Sequence, residues 1–158
     1  CIQNAKLNIQ MMNALAKKYW DTYFVGKEKP LSVTAWQFGG IPDELAQLVK
    51  DGVKSATCSL HLHYELENEP LPMVNDYSIV LNSKDEPVCI IRTSDVKIMP
   101  MKEVPLDFAY AEGEGDLSYE HWRKVHIEFF TNELKELDRE FSEEMLLVCE
   151  RFELIDVK

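Results

Sequence analysis

The sequence predicts an α+β fold, a small barrel or open sheet framed by helices. Three observations carry this. Strand-like runs concentrate between Thr57 and Met99. Residues at helical spacing stand on both sides of that region. A chain of 158 residues, 46% of them hydrophobic, is long enough for one domain with a sizeable core.

Each element has its own local signal. Residues 5–24 lack proline and glycine, and Met11, Met12, Leu15, Tyr19 and Tyr23 recur at helical spacing, which predicts a helix. Gly26 and the lysine-rich stretch to Pro30 end it. Residues 34–38 read as a short strand before Gly39-Gly40. Pro42-Asp43-Glu44 opens a second helix, with proline in the first turn and two acids at the positive end of the dipole. Leu45, Leu48 and Val49 form its stripe, and Gly52 stops it.

From Thr57 the pattern turns to strands. Residues 77–81 and 88–93 are β-rich and joined through Asn82-Ser83-Lys84-Asp85, a plausible hairpin connection. Residues 95–99 continue that strand or follow as another extended piece, and the chain begins a return to helix between Pro100 and Pro105. Ser118 caps a long helix in which Trp122, Val125, Phe129, Phe130, Leu134 and Leu137 repeat. Residues 145–155 close the chain as a strand.

Charge narrows the function. The formal net charge is -11, with 12 acids against 10 bases in residues 1–100 and 16 against 7 in residues 101–158. Non-specific nucleic-acid binding needs cations against phosphates, so a broad basic face is excluded and only a local basic groove remains open. No apolar run approaches the ~18–20 residues needed to cross a bilayer, and no secretory signal is visible. Four scattered cysteines without a C-x-x-C pair are expected to be reduced and buried, as in a cytoplasmic protein.

Three constellations could carry chemistry. In Gly52-Val53-Lys54-Ser55-Ala56-Thr57, a partly desolvated lysine could act as a base for a nearby hydroxyl. Residues three apart point to opposite faces of a regular strand, so Lys54 and Thr57 converge only where the chain turns. The plainer reading is a surface lysine beside a strand threonine. In Ala111-Glu112-Gly113-Glu114-Gly115-Asp116, mutual repulsion could raise a carboxyl pKa or create a cation site, with glycines letting backbone approach a ligand. The plainer reading is a solvated acidic loop. His61 and His63 would share a face on a strand, whereas Cys58 would point away, so a metal lacks its third ligand and none is expected. His121 and His126, bordering Trp122, read as core or pocket-edge packing. Phosphate-loop, dinucleotide and nucleophile-elbow motifs are missing.

In combination, Ala35-Trp36-Gln37-Phe38-Gly39-Gly40, the run from Leu48 to Thr57, Ala111 to Asp116, Tyr119-Glu120-His121-Trp122-Arg123, His126, Phe129-Phe130 and Val148-Cys149-Glu150-Arg151-Phe152 stand in the order seen in bacterial ASCH-domain proteins. The chain resembles that family over roughly residues 33–155. The resemblance implies a small PUA-like β-barrel of mostly antiparallel strands at 31–158, preceded by an N-terminal helical extension at 1–30. It also implies a cleft for RNA or a nucleotide-like ligand beside the G-x-K segment. One branch of the family, amidohydrolases of N(4)-acetylcytidine, implies Lys54, Thr57 and Glu114 as catalytic residues, with Glu112 the near alternative to Glu114. Gly52, Trp36, Glu112, Trp122 and Arg123 are the implied ligand-binding residues. No cofactor or metal is implied, and the expected partner is a small nucleoside-like ligand, with RNA an alternative and no membrane. The chain departs from the branch in its added N-terminal helix and Trp36–Gly40 segment, and in Cys58-Ser59-Leu60 after Thr57.

Overall fold

The computed structural model describes residues 7–8 and 12–158. Six strands form one sheet: β1 (Leu7–Asn8), β2 (Thr34–Gln37), β3 (Ala56–Leu60), β4 (Tyr77–Leu81), β5 (Pro87–Pro100) and β6 (Leu146–Val157). Their spatial order is β1-β2-β4-β5-β6-β3. The β2–β4 pair is parallel and the other pairs are antiparallel. Five helices surround the sheet: α1 (Ala14–Tyr23), α2 (Pro42–Lys50), α3 (His61–Glu67), α4 (Leu106–Ala111) and α5 (Tyr119–Lys135). This is the expected α+β architecture.

Alternation along the strands divides the core. Ala35, Ile79, Leu81 and Ile90 face α1, where Ala16, Tyr19, Trp20 and Phe24 cover them. Trp36, Val80, Cys89, Ile91 and Phe152, one residue out of phase on β2 and β4, face α2 and its Leu45, Ala46 and Val49. Ala56, Cys58, Leu60, Leu147 and Cys149 pack against α4 and α5. Each large side chain buried in this way stabilises the fold by roughly 1.5–3 kcal/mol.

Local signals explain the helix ends. The side chain of Asn13 accepts a hydrogen bond from Ala16 N at 2.8 Å, so α1 starts at Ala14 rather than near residue 5. Of the earlier part of the expected helix, Leu7–Asn8 is strand, Met12 and Asn13 precede the first turn, and residues 5–6 and 9–11 lie outside the described residues, as does Cys1. Ser118 caps α5 as expected, accepting from His121 N at 3.1 Å. That helix ends at Lys135, short of Leu137.

One expectation needs correction. Residues 61–67 form helix α3, not strand, because the edge strand β3 ends at Leu60. His61 therefore meets Glu65 at 3.2 Å and His63 meets Glu133 at 3.3 Å. Of the two alternatives for residues 95–99, the continuing strand is the one found: residues 87–100 form one strand, with a register shift between Thr93 and Asp95. Cys58, Cys89 and Cys149 are free and buried. No helix among the described residues is long and apolar enough to cross a membrane.

Candidate active site

The corner between α2 and β3 builds the site. Gly52 has φ +76°, which lets the chain fold back so that Val53 N and Lys54 N donate to Leu48 O at 2.9 and 3.0 Å. Ser55 then bonds in two directions, its N to Ala111 O at 2.8 Å and its O from Phe152 N at 3.0 Å. These bonds fix the Lys54 backbone between α4 and β6 and turn its side chain inward.

Lys54 is no surface lysine: the residue is 1% exposed. Its Nζ lies 3.2 Å from Glu114 Oε2 and 3.6 Å from Glu112 Oε1, and donates to Glu112 O at 3.3 Å. The Phe38 ring centre is 5.4 Å away. Burial works against the ammonium, but Glu112 and Glu114 outweigh it and hold the lysine above its ordinary pKa. A lysine stripped of its proton by desolvation alone is therefore not what this corner contains.

Nor is the acidic segment a solvated loop. Glu112 is 0% exposed. Its Oε2 accepts from the Trp122 indole N–H, lies 3.1 Å from His126 Nε2 and is 3.6 Å from Cys58 Sγ. His126 Nδ1 in turn lies 2.7 Å from Trp122 O. Burial pushes the Glu112 pKa up, but His126 and Lys54 overcome it and bring the carboxyl well below its usual range. Glu114 also lies low despite burial, drawn down in part by Lys54. Repulsion between the carboxylates does not prevail, because the Lys54 ammonium stands between the two acids.

The glycines of this loop serve the protein's own packing. A Cβ on Gly113, at φ +69°, would lie 2.5 Å from Val53 O. One on Gly115 would meet the His121 ring. Backbone thus closes onto the Val53–Lys54 corner and onto α5. Asp116, at the end of the loop, accepts from Ser118 N at 2.9 Å and shapes the entry to α5.

Thr57 stands opposite Glu150 in the β3–β6 register and is buried. Paired residues share a face, so Thr57, Glu150 and Phe152 line the side of the sheet that carries Trp36, Val80 and Ile91. That face is apolar under α2 and becomes polar beyond it, with Thr34, Ser78, Thr93 and Glu150 lining a cavity of about 250 Å³. Thr34 Oγ1 and Ser78 Oγ are 3.4 Å apart. Buried hydroxyls beside a cavity suit a polar ligand better than a packed core does.

Of the remaining sequence candidates, only Trp122 touches the acidic cluster directly. Trp36 is buried edge-on to Phe38, with centroids 4.8 Å apart, and its indole N–H has no hydrogen-bond partner among the described residues. Trp122 is buried and stacked on Tyr119 at 5.8 Å and on His126 at 4.6 Å. It supports Glu112 from the core. Arg123 pairs with Glu143 and lies over the Tyr119 ring.

Sequence reasoning missed the grouping of Cys58 and His126 around Glu112, and the roles of Thr93 and Glu150 in the polar face. One signal was legible. Glu150 alternates with Val148 and Phe152, which places an acid on an otherwise inward-facing row.

Comparison with known proteins agrees with this architecture. Residues 34–156 match the ASCH domain family. The chain is similar to the ASCH domain of Lactobacillus crispatus, at 34% identity and a TM-score of 0.87, over 94% of this chain and 98% of that one. It is also similar to a protein from Enterococcus faecalis described under the family DUF984, at 38% identity and a TM-score of 0.75, over 89% and 85% of the two chains. Comparison with curated proteins gives no match.

Proposed function

The chain belongs to the ASCH-domain family, and from that premise we propose that it is an amidohydrolase removing the acyl group from N(4)-acetylcytidine or a similar acylated nucleoside. One observation carries the reading. A wholly buried Lys54 ammonium is held between Glu112 and Glu114, three residues ahead of Thr57 at the head of β3. A buried charge cluster of this kind costs stability, and functional sites are where such clusters concentrate.

In this mechanism the Thr57 hydroxyl attacks the acyl carbon, and the carbonyl π electrons move onto oxygen. The hydroxyl proton passes into the Lys54–Glu114 pair, with Glu114 as its final acceptor. Lys54 therefore keeps its charge and offsets the developing oxyanion. Collapse breaks the C–N bond, the stored proton goes to the departing amine, and the acyl group remains on Thr57 as an ester. Water then repeats the sequence, releasing the carboxylic acid and restoring the hydroxyl. The polar cavity wall formed by Thr34, Ser78, Thr93 and Glu150 supplies hydrogen-bonding partners for a nucleoside. A cytoplasmic setting fits a chain whose described cysteines are all free.

A non-catalytic module for RNA or a modified nucleotide would use the same cleft. Two cations it would need for phosphates are already engaged, Lys54 by Glu112 and Glu114, and Arg92 by Glu153 at 2.5 Å. This favours a neutral nucleoside over a phosphodiester chain. The test is to incubate purified protein with N(4)-acetylcytidine and follow cytidine and acetate. Wild type is expected to release both, with a rate at least about 100-fold above Thr57→Ala. Equal release by the two proteins refutes the hydrolase reading.

A further inference from the structure

A different chemistry is built on the opposite side of β3. Cys58 and Thr57 are adjacent on the strand and face opposite ways, so Cys58 looks toward α4 and α5 rather than into the polar cavity. There its Sγ meets a carboxylate from the end of α4 and an imidazole from α5. The three residues are distant in sequence and wholly buried.

We propose that Cys58, Glu112 and His126 form a binding site for a divalent transition cation, with Zn2+ the best match to their donors. One ligand atom from each residue lies within 4.8 Å of the other two. The two edges that meet at Glu112 fit more closely than that limit requires. Tetrahedral Zn2+ at ordinary bond lengths places sulfur and oxygen ligands about 3.5 Å apart, and nitrogen and oxygen ligands about 3.3 Å apart. The Cys58 Sγ to Glu112 Oε2 distance is 3.6 Å, and the His126 Nε2 to Glu112 Oε2 distance is 3.1 Å.

A second, independent feature is the orientation of His126. The Trp122 carbonyl can only accept, so His126 Nδ1 must donate across the 2.7 Å contact. This fixes Nε2 as the nitrogen facing the Glu112 carboxylate, where either a proton or a metal ion can hold the two together. A histidine anchored through one nitrogen to a backbone carbonyl, with the other turned toward a ligand cluster, has the outer-sphere support that metal-bound histidines ordinarily have. The Trp122 indole N–H supports Glu112 Oε2 in the same manner.

Lys54 does not occupy this position. It approaches the other carboxylate oxygen, Oε1, at 3.6 Å and retains Glu114 as a partner. On binding, Zn2+ takes Cys58 as its thiolate, and the thiol proton leaves to solvent. No electrons are transferred. Cys149 stands directly opposite Cys58 across the β3–β6 pair, placing a second thiol on the same face.

Co2+ is a suitable probe, added after overnight chelation and dialysis to the full chain carrying Cys1→Ser, so that the terminal thiol cannot contribute. The expected result is a thiolate-to-cobalt charge-transfer band that saturates at one ion per chain and is displaced by Zn2+. The band should vanish in Cys58→Ser, weaken at least about tenfold in affinity in His126→Gln, and persist in Cys89→Ser. Zn2+ should also raise the melting temperature of the chain with Cys58 and His126 intact, relative to chelator, through linkage to the folded state. No band, a band that survives Cys58→Ser, or a melting temperature indifferent to saturating Zn2+ overturns the site.

Discussion

Trp20 and Lys54 are both almost wholly removed from water, in surroundings of opposite kinds. Around Trp20 are Phe24, Tyr77, Ala16, Ile79 and Ile90, and burial of their apolar surface is favourable one side chain at a time, against the cost of the unpartnered Trp20 indole N–H among the described residues. Around Lys54 are Glu112, Glu114 and, through Glu112, His126 and Trp122. None of those charges would tolerate burial alone; they do so only because each has its partners. The first region is held by a sum of small gains, whereas the second stands or fails as a unit. A chain that keeps such a unit has given up stability that apolar packing would have supplied.

The sharpest way to break this contrast is Glu112→Gln. It changes almost no volume, yet it leaves Lys54 and His126 facing a neutral amide. Equilibrium urea unfolding should show a loss of about 3–5 kcal/mol, the range for removing one partner from a buried pair. An effect below that of an ordinary surface substitution would mean that the cluster is not coupled as described.

Gly113→Ala tests the loop that closes the unit. The residue is at φ +69°, and its new Cβ would press on Val53 O. The expected cost is about 1–3 kcal/mol, with most of any deacylase activity lost because Glu112 and Glu114 shift relative to Lys54. Retention of both stability and activity would show that the loop moves freely.

On the α1 side, Ile79→Val removes one methyl group from a fully buried position and should cost only about 1 kcal/mol. A loss as large as that of Glu112→Gln would erase the distinction between the two regions.

The smallest effect belongs to a half-exposed ion pair that resembles the buried one only in its chemistry. The His63 imidazole is held above its ordinary value of 6.5 chiefly by its hydrogen bond to Glu133, with burial opposing. A raised folded-state value means that the stabilisation is complete below pH 6.5 and fades as pH rises through the folded pKa. Its size should be no more than about 1 kcal/mol. Melting curves of wild type and His63→Gln should therefore separate in mild acid and converge in mild alkali. Constant separation across that range would remove Glu133 as the cause.

How much of this could be read along the chain depended on distance in sequence. Pro42-Asp43-Glu44 and Gly52 bounded α2, Ser118 capped α5, and the β4–β5 turn fell at Asn82–Asp85, because those signals act between residues a few positions apart. The ordered motifs from Trp36 to Phe152 pointed to the family and so to the sheet. The start of α1 was missed because Asn13 was not recognised as its cap, and α3 because His61 to Glu67 carries no clear stop signal for the strand before it.

By itself, then, the sequence determined the α+β class, most element boundaries and the choice of Lys54, Thr57, Glu112 and Glu114 as residues to watch. Only the tertiary structure decided that Lys54 is a buried ammonium between two carboxylates, that Glu112 is shared with His126, Trp122 and Cys58, and that Thr57 and Cys58 are buried on opposite sides of the sheet. The reason is physical. Helix caps and turns are settled by neighbours along the chain, whereas the charge state and burial of a side chain are set by whatever packs against it. Here that is a carboxylate 58 residues away.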